Sequence, residues 1–205
     1  MAKFAKEANK AAKALSATTN EYAKASLIYF QQGLSDKDVA KRTATTIKLA
    51  NVTGESAENV SSYMTAVWNN FDNGTKSLEY YADAITALGA ATASSSEEIA
   101  TGLQKFSAVA KTVGLSYEYA TAALATVTSQ TRESAETVGT AFKTIFARLE
   151  SLSLGETLDD DTNMTKYSQA LAQVGVNIKN AEGELKNMDT IIDELGNKWN
   201  NINED

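Results

Sequence analysis

Asp159, Asp160 and Asp161 stand in a row. Adjacent carboxylates are the kind of oxygen-rich group that a hard divalent cation takes. A calcium loop of the EF-hand type, however, alternates its acids, turns on a glycine at its sixth position and closes with a glutamate at its twelfth. The stretch Ser153–Asp161 has none of that order, so it reads as a solvated acidic loop. Two carboxylate pairs, Glu97 with Glu98 and Glu55 with Glu58, suggest general acid–base work. They fall in the first turns of predicted helices, where acids complement the helix dipole and cap free amides. A glycosidase pair also needs a sugar cleft, and nothing in the pattern builds one. Gly54, Gly89, Gly102, Gly114 and Gly139 form neither of the common phosphate- and dinucleotide-binding glycine motifs. The chain has no His and no Cys, which removes the commonest general base, thiolate nucleophiles and the usual metal ligands. The sequence therefore predicts no catalytic, cofactor-binding or metal-ligating residue, and no small-molecule substrate.

The remaining distinctive side chains are aromatic. Trp68, Phe71, Phe106, Phe142, Phe146 and Trp199 lie on apolar faces at helical spacing, which predicts core packing first and a partner groove second. Tyr80–Tyr81, and Tyr117 with Tyr119, put one ring on each side of a helix, so one of each pair is expected in water. Lys143 and Arg148 among Phe142, Ile145, Phe146 and Leu149 form a weak basic–aromatic cluster, better explained as the edges of an amphipathic helix. The net charge is −7 and the cations are scattered, so no sequence-specific nucleic-acid face is expected. No run of 18 apolar residues occurs, which excludes a helical membrane span from the sequence given. Met1–Glu7 does not read as a signal peptide.

The elements that position these residues are helices. The 205 residues contain no Pro, and a Pro inside a helix costs about 3 kcal/mol. Phe4, Ala8, Ala11, Leu15, Tyr22, Ala25 and Tyr29 keep helical spacing, so residues 1–32 read as one long helix. It closes at Gly33 and makes 1–34 a unit of its own. From 35 to 152 the chain repeats: Ser56-Ala57-Glu58, Ser95-Ser96-Glu97 and Ser134-Ala135-Glu136 recur every 39 residues, each with a Thr three places earlier. Met64, Leu103 and Phe142 are in register, as are Val67, Phe106 and Ile145, and so are Asp38, Ser77 and Ser116 as N-caps. Duplication and the commonness of these residues at helix starts both fit this pattern; helical hairpins follow either way. Helices are predicted near 38–50, 56–72, 77–89, 95–113, 117–130 and 134–152. Ser94 with Glu97 is read as a capping box, Gly89 and Gly114 as helix stops, and Gly102 and Gly139 as points of close helix approach. Val60, Val67, Leu103, Phe106, Phe142, Ile145 and Leu149 form the predicted core. Residues 153–205 read as the acidic loop, a helix near 163–174, a small β-hairpin around Glu182-Gly183, and a last helix capped by Asp189. That helix carries Ile191, Ile192, Leu195, Trp199 and Ile202 on one face. The fold class is all-α: repeated hairpins in a bundle or short solenoid, with a long N-terminal helix.

Several segments resemble the conserved helical domain of phage tail tape measure proteins. They are Lys48–Glu58, Ile85–Ala93, Ala120–Ala125 and Val138–Leu149, followed in order by Leu171–Val176, the Glu182-Gly183 turn and Met188–Leu195. The resemblance covers about 40–203 and rests on the ordered series. It implies a fragment of a longer, largely helical protein that lies in the tail tube, sets tail length and supports assembly. Implied partners are the tail tube, tail chaperone and tail tip proteins and further copies of itself. The implied location is the virion tail lumen, after assembly in the host cytoplasm. The family's membrane-active stretches and peptidoglycan-cleaving signatures are missing from these residues. The rival readings are a stand-alone helical-repeat binding module and, more remotely, a cell-wall hydrolase or Mg²⁺ enzyme using the acidic loop.

Overall fold

The computed structural model describes residues 2–153 and 163–202. Among these residues the chain forms α-helices and no strands. The helices are α1 (Ala2–Ala14), α2 (Thr19–Gln31), α3 (Asp36–Thr53), α4 (Ala57–Phe71), α5 (Leu78–Ala91), α6 (Ser96–Thr112), α7 (Tyr117–Thr131), α8 (Ala135–Ser153), α9 (Met164–Gln173) and α10 (Met188–Ile202). Helices α2, α4, α6 and α8 lie side by side as one row, and α3, α5 and α7 form a second row against it. The layout is that of stacked hairpins, each burying its apolar stripe against its neighbours.

The 39-residue register is real in three dimensions. Ser56, Ser95 and Ser134 each accept the amide of the third residue onward, at 3.1, 3.1 and 3.2 Å. The Thr before each cap makes the same pair of bonds three times. Thr53, Thr92 and Thr131 donate to the carbonyls of Leu49, Leu88 and Val127, and accept from the amides of Glu55, Ser94 and Glu133. One hydroxyl thus ends one helix and steers the chain into the next. Two capping details differ from expectation. The box is formed by Ser95 with Glu98, while Ser94 is buried and donates to the Ala125 carbonyl. Helix α3 is capped by Ser35, three residues before Asp38. Gly114 does close α6, with φ +73°, but Gly89 lies inside α5, where a Cβ would stand 2.7 Å from the Ser96 amide nitrogen.

The predicted long N-terminal helix is two helices. Ser16 takes a left-handed conformation (φ +57°), the Ala17 amide bonds the Ala12 carbonyl, and α1 stops there. Thr18 and Glu21 then open α2 with a complete capping box. The Asn51 side-chain amide holds the turn by donating to the Leu15 carbonyl at 2.8 Å. Residues 2–34 thereby fold back as a hairpin, in register with the next unit at an offset of 38. Ser16 matches Gly54, Thr18 matches Ser56, and buried Tyr22 and Tyr29 match buried Val60 and Val67.

The core runs along the row. Val60, Met64, Val67, Ile99, Leu103 and Phe106 are all at most 1% exposed. Phe142 and Leu149 are half-buried, with Phe142 meeting Phe106 edge-on at 5.2 Å between centroids. Ile145 breaks the predicted pattern at 49% exposure, although its register partners Val67 and Phe106 are buried. Among the described residues α8 packs chiefly on α6 and α7, and Ile145 is left in water.

The predicted β-hairpin reduces to one isolated antiparallel bridge, Lys179 with Leu185. Asn180 gathers the turn, its side-chain oxygen accepting from the Glu182 and Glu184 amides. A single bridge does not extend into a ladder, and two short strands alone are marginal in water. Val176 and Ile178 are buried, and the Met188 amide donates to the Val113 carbonyl, so this segment docks beside the α6–α7 turn. Helix α10 starts one residue before Asp189, and Trp199 is exposed rather than in the core. The acidic run Asp159–Asp161 lies outside the described residues.

Candidate functional site

The seam between successive hairpins carries most of the specific polar chemistry. Along the α4–α6–α8 row, Gln104 donates to Ser62, Asn70 donates to Ser107, and Lys105 pairs with Glu136 at 2.6 Å. Lys24 pairs with Glu58, the register partner of Glu136, between α2 and α4 at 3.9 Å. The α6–α8 joint is closest at Gly102 and Gly139, where a Cβ added at Gly139 would lie 2.6 Å from the Gly102 carbonyl oxygen and 2.9 Å from its Cα. Two glycines here let two backbones touch, as their spacing predicted.

Where the loops leave this row, an open hollow of about 340 Å³ is lined by Phe71, Lys76, Tyr80, Tyr81, Lys111, Tyr117 and Glu118. Its wall is a chain of rings. Tyr81 meets Tyr117 edge-on at 5.0 Å, Tyr80 meets Tyr81 at 5.6 Å, and Phe71 meets Tyr117 at 5.5 Å. Lys76 Nζ sits 4.6 Å from the centre of the Tyr80 ring. Each hydroxyl is engaged: Tyr117 donates to the Tyr81 carbonyl, Tyr81 to the Phe71 carbonyl, and Tyr80 to the Glu118 carboxylate. Burial pushes the Tyr117 and Tyr81 phenols above their usual range, while the bond to Glu118 raises Tyr80 and lowers Glu118. The phenols stay protonated and bonded at neutral pH, with Glu118 an ionised acceptor, so the cluster joins α5 to α7 and gives a recognition surface rather than a nucleophile. Sequence reasoning placed one ring of each pair in water. The structure buries Tyr81 and Tyr117 and leaves Tyr80 and Tyr119 half-buried. Tyr80 and Tyr119 are related by the 39-residue offset, whereas the buried Tyr81 and Tyr117 stand in register with Ala120 and Leu78.

The carboxylates proposed as acid–base pairs serve the fold. Glu98 completes its capping box, and Glu58 pairs with Lys24. Glu55 accepts from the buried Tyr63 hydroxyl at 3.0 Å; burial holds its pKa up, and the nearby Glu97 charge adds to the rise. Among the described residues no group of three or more acids is arranged to hold a metal ion. Lys143 and Arg148 are exposed beside Phe142 and Phe146, whose rings pack on Phe106.

What emerges is a protein whose polar groups are spent on capping and on joining one hairpin to the next. A family model for phage-related minor tail proteins matches residues 6–205. The chain belongs to that family. No solved structure matches it. As a phage-related minor tail protein it is a structural component of the virion tail, and its surfaces serve contacts with other tail components. Among the described residues no helix is long and apolar enough to cross a membrane.

Proposed function

We propose that this chain is part of a tape measure protein, the tail component that sets tail length and organises assembly in the tube lumen, acting through assembly contacts without catalysis. The observation that carries the reading is the tandem, in-register stacking of helical hairpins along one row, within a chain whose family match spans residues 6–205. A ruler needs length built from repeated units and no reactive groups. The ordered resemblance over about 40–203 supports the same reading, and the tube, chaperone and tip proteins are the partners it implies.

The test is to delete residues 35–151 in frame in the phage gene and measure tails by electron microscopy. Tails are expected to shorten. The loss is about 30 Å if three hairpins stack at roughly 10 Å each, and about 180 Å if the same residues run as extended helix at roughly 1.5 Å per residue. Full-length, infectious tails would contradict the reading and favour a stand-alone binding module.

A further inference from the structure

Among the described residues the row of helices is open at both ends, and the two ends match. Call the face of each helix toward the next hairpin its front, and the opposite face its rear. On α4 the rear meets α2 through Thr65, which accepts from Gln32 at 3.2 Å, through Trp68, whose ring lies 5.9 Å from that of Tyr29, and through Glu58. The offset of 38 puts Asn20, Leu27 and Phe30 at those positions on α2. Leu27 is 56% exposed. On α6 the front meets α8 through Phe106 and Lys105. The offset of 39 puts Ile145 and Thr144 there on α8, with Ala141 beside them, and all three are exposed. A terminal unit that closes a repeat array presents polar side chains outward. Here each end shows a large aliphatic residue where an internal joint buries its contact.

The polar partners change together. Inside the row, Lys105 on a front faces Glu136 on a rear. At the open ends the register partner of Lys105 is Thr144, and that of Glu136 is Asn20. A charged pair has become a neutral hydrogen-bonding pair, so joining these two positions strands no buried charge there, while Arg148, exposed one turn beyond Thr144 on α8, borders the same face. Thr144 and Ala141 are short, which lets a helix approach α8 closely.

We propose that the occupant of the α8 front is the α2 rear of a second copy of this chain, giving head-to-tail stacking that continues the internal row. Such a contact is heterologous and does not close, so it builds open chains. The proposal does not depend on the tape measure reading.

Sedimentation velocity from roughly 10 μM to 1 mM tests it. The unaltered chain is expected to show a concentration-dependent series of species extending past the dimer. Ile145→Lys and Leu27→Lys each break one end at an exposed position, so both keep the parent circular dichroism spectrum and melting temperature. Each alone is expected to lose association at least tenfold. Mixed one to one, they are expected to form a heterodimer and nothing larger, because one keeps a good rear and the other a good front. A chain that stays monomeric throughout, association that survives in either variant alone, or a closed dimer of the unaltered chain would each overturn the proposal.

Discussion

Tyr29, Tyr63, Tyr81 and Tyr117 are buried, and burial raises the pKa of each phenol. The fold favours the neutral form. That stabilisation is whole below the ordinary value of 10.0 and is lost as pH rises from there toward each raised folded-state value. An alkaline titration followed at the phenolate absorbance should therefore show few tyrosines ionising in the folded protein, then a steep step coincident with loss of helix. A smooth titration centred on 10.0 with helix intact would contradict this burial. Burial also separates two positions that the sequence makes equivalent. Phe106→Ala should cost about 3–5 kcal/mol in chemical denaturation, because it empties a filled core site. Ile145→Ala should cost less than about 1 kcal/mol, because half that side chain is already in water. Equal costs would mean that the α8 front is covered.

At the level of helices, glycine has two opposite meanings in this chain. Gly139 lies against the Gly102 backbone, whereas Gly196 in α10 has nothing within 4 Å of where a Cβ would go. Gly139→Ala should destabilise by about 2–4 kcal/mol, because backbone cannot move aside as a flexible side chain can. Gly196→Ala should stabilise by up to about 1 kcal/mol through helix propensity alone. Thermal melts of the two variants should shift in opposite directions; a rise for both would refute the close α6–α8 joint. Most helices from α3 to α8 could be read in the sequence because serine caps mark their starts and Gly54 and Gly114 close α3 and α6. The break in 1–34 could not be read as easily. A serine, not a glycine, takes the left-handed position at the end of α1, and the Thr18–Glu21 box was the surviving signal. The β-hairpin was overread because alternation at Val176 and Ile178 reports two buried side chains in a docked loop, which mimics a strand over so short a stretch.

At the scale of the molecule, periodicity told which face of each helix is apolar, but not whether a neighbour covers it. That explains why Val67 and Phe106 were placed correctly in the core while Ile145 and Trp199 were not. The same limit applied to the tyrosine cluster, whose rings come from α5 and α7 and meet only once the hairpins stack. The absence of His and Cys pointed away from common catalytic schemes, and the family match agrees with a structural role in the tail. The central claim is that hairpins share one continuous core along the α2–α4–α6–α8 row, with α4 and α6 held from both sides. Native-state amide hydrogen exchange, read by mass spectrometry, tests it most directly. Peptides covering Val60–Trp68 and Ile99–Phe106 should exchange slowest and with the same opening free energy, with α8 faster and α1 and α9 fastest. Independent protection of the hairpins, or an α6 that exchanges as fast as α9, would show that no such shared interior exists.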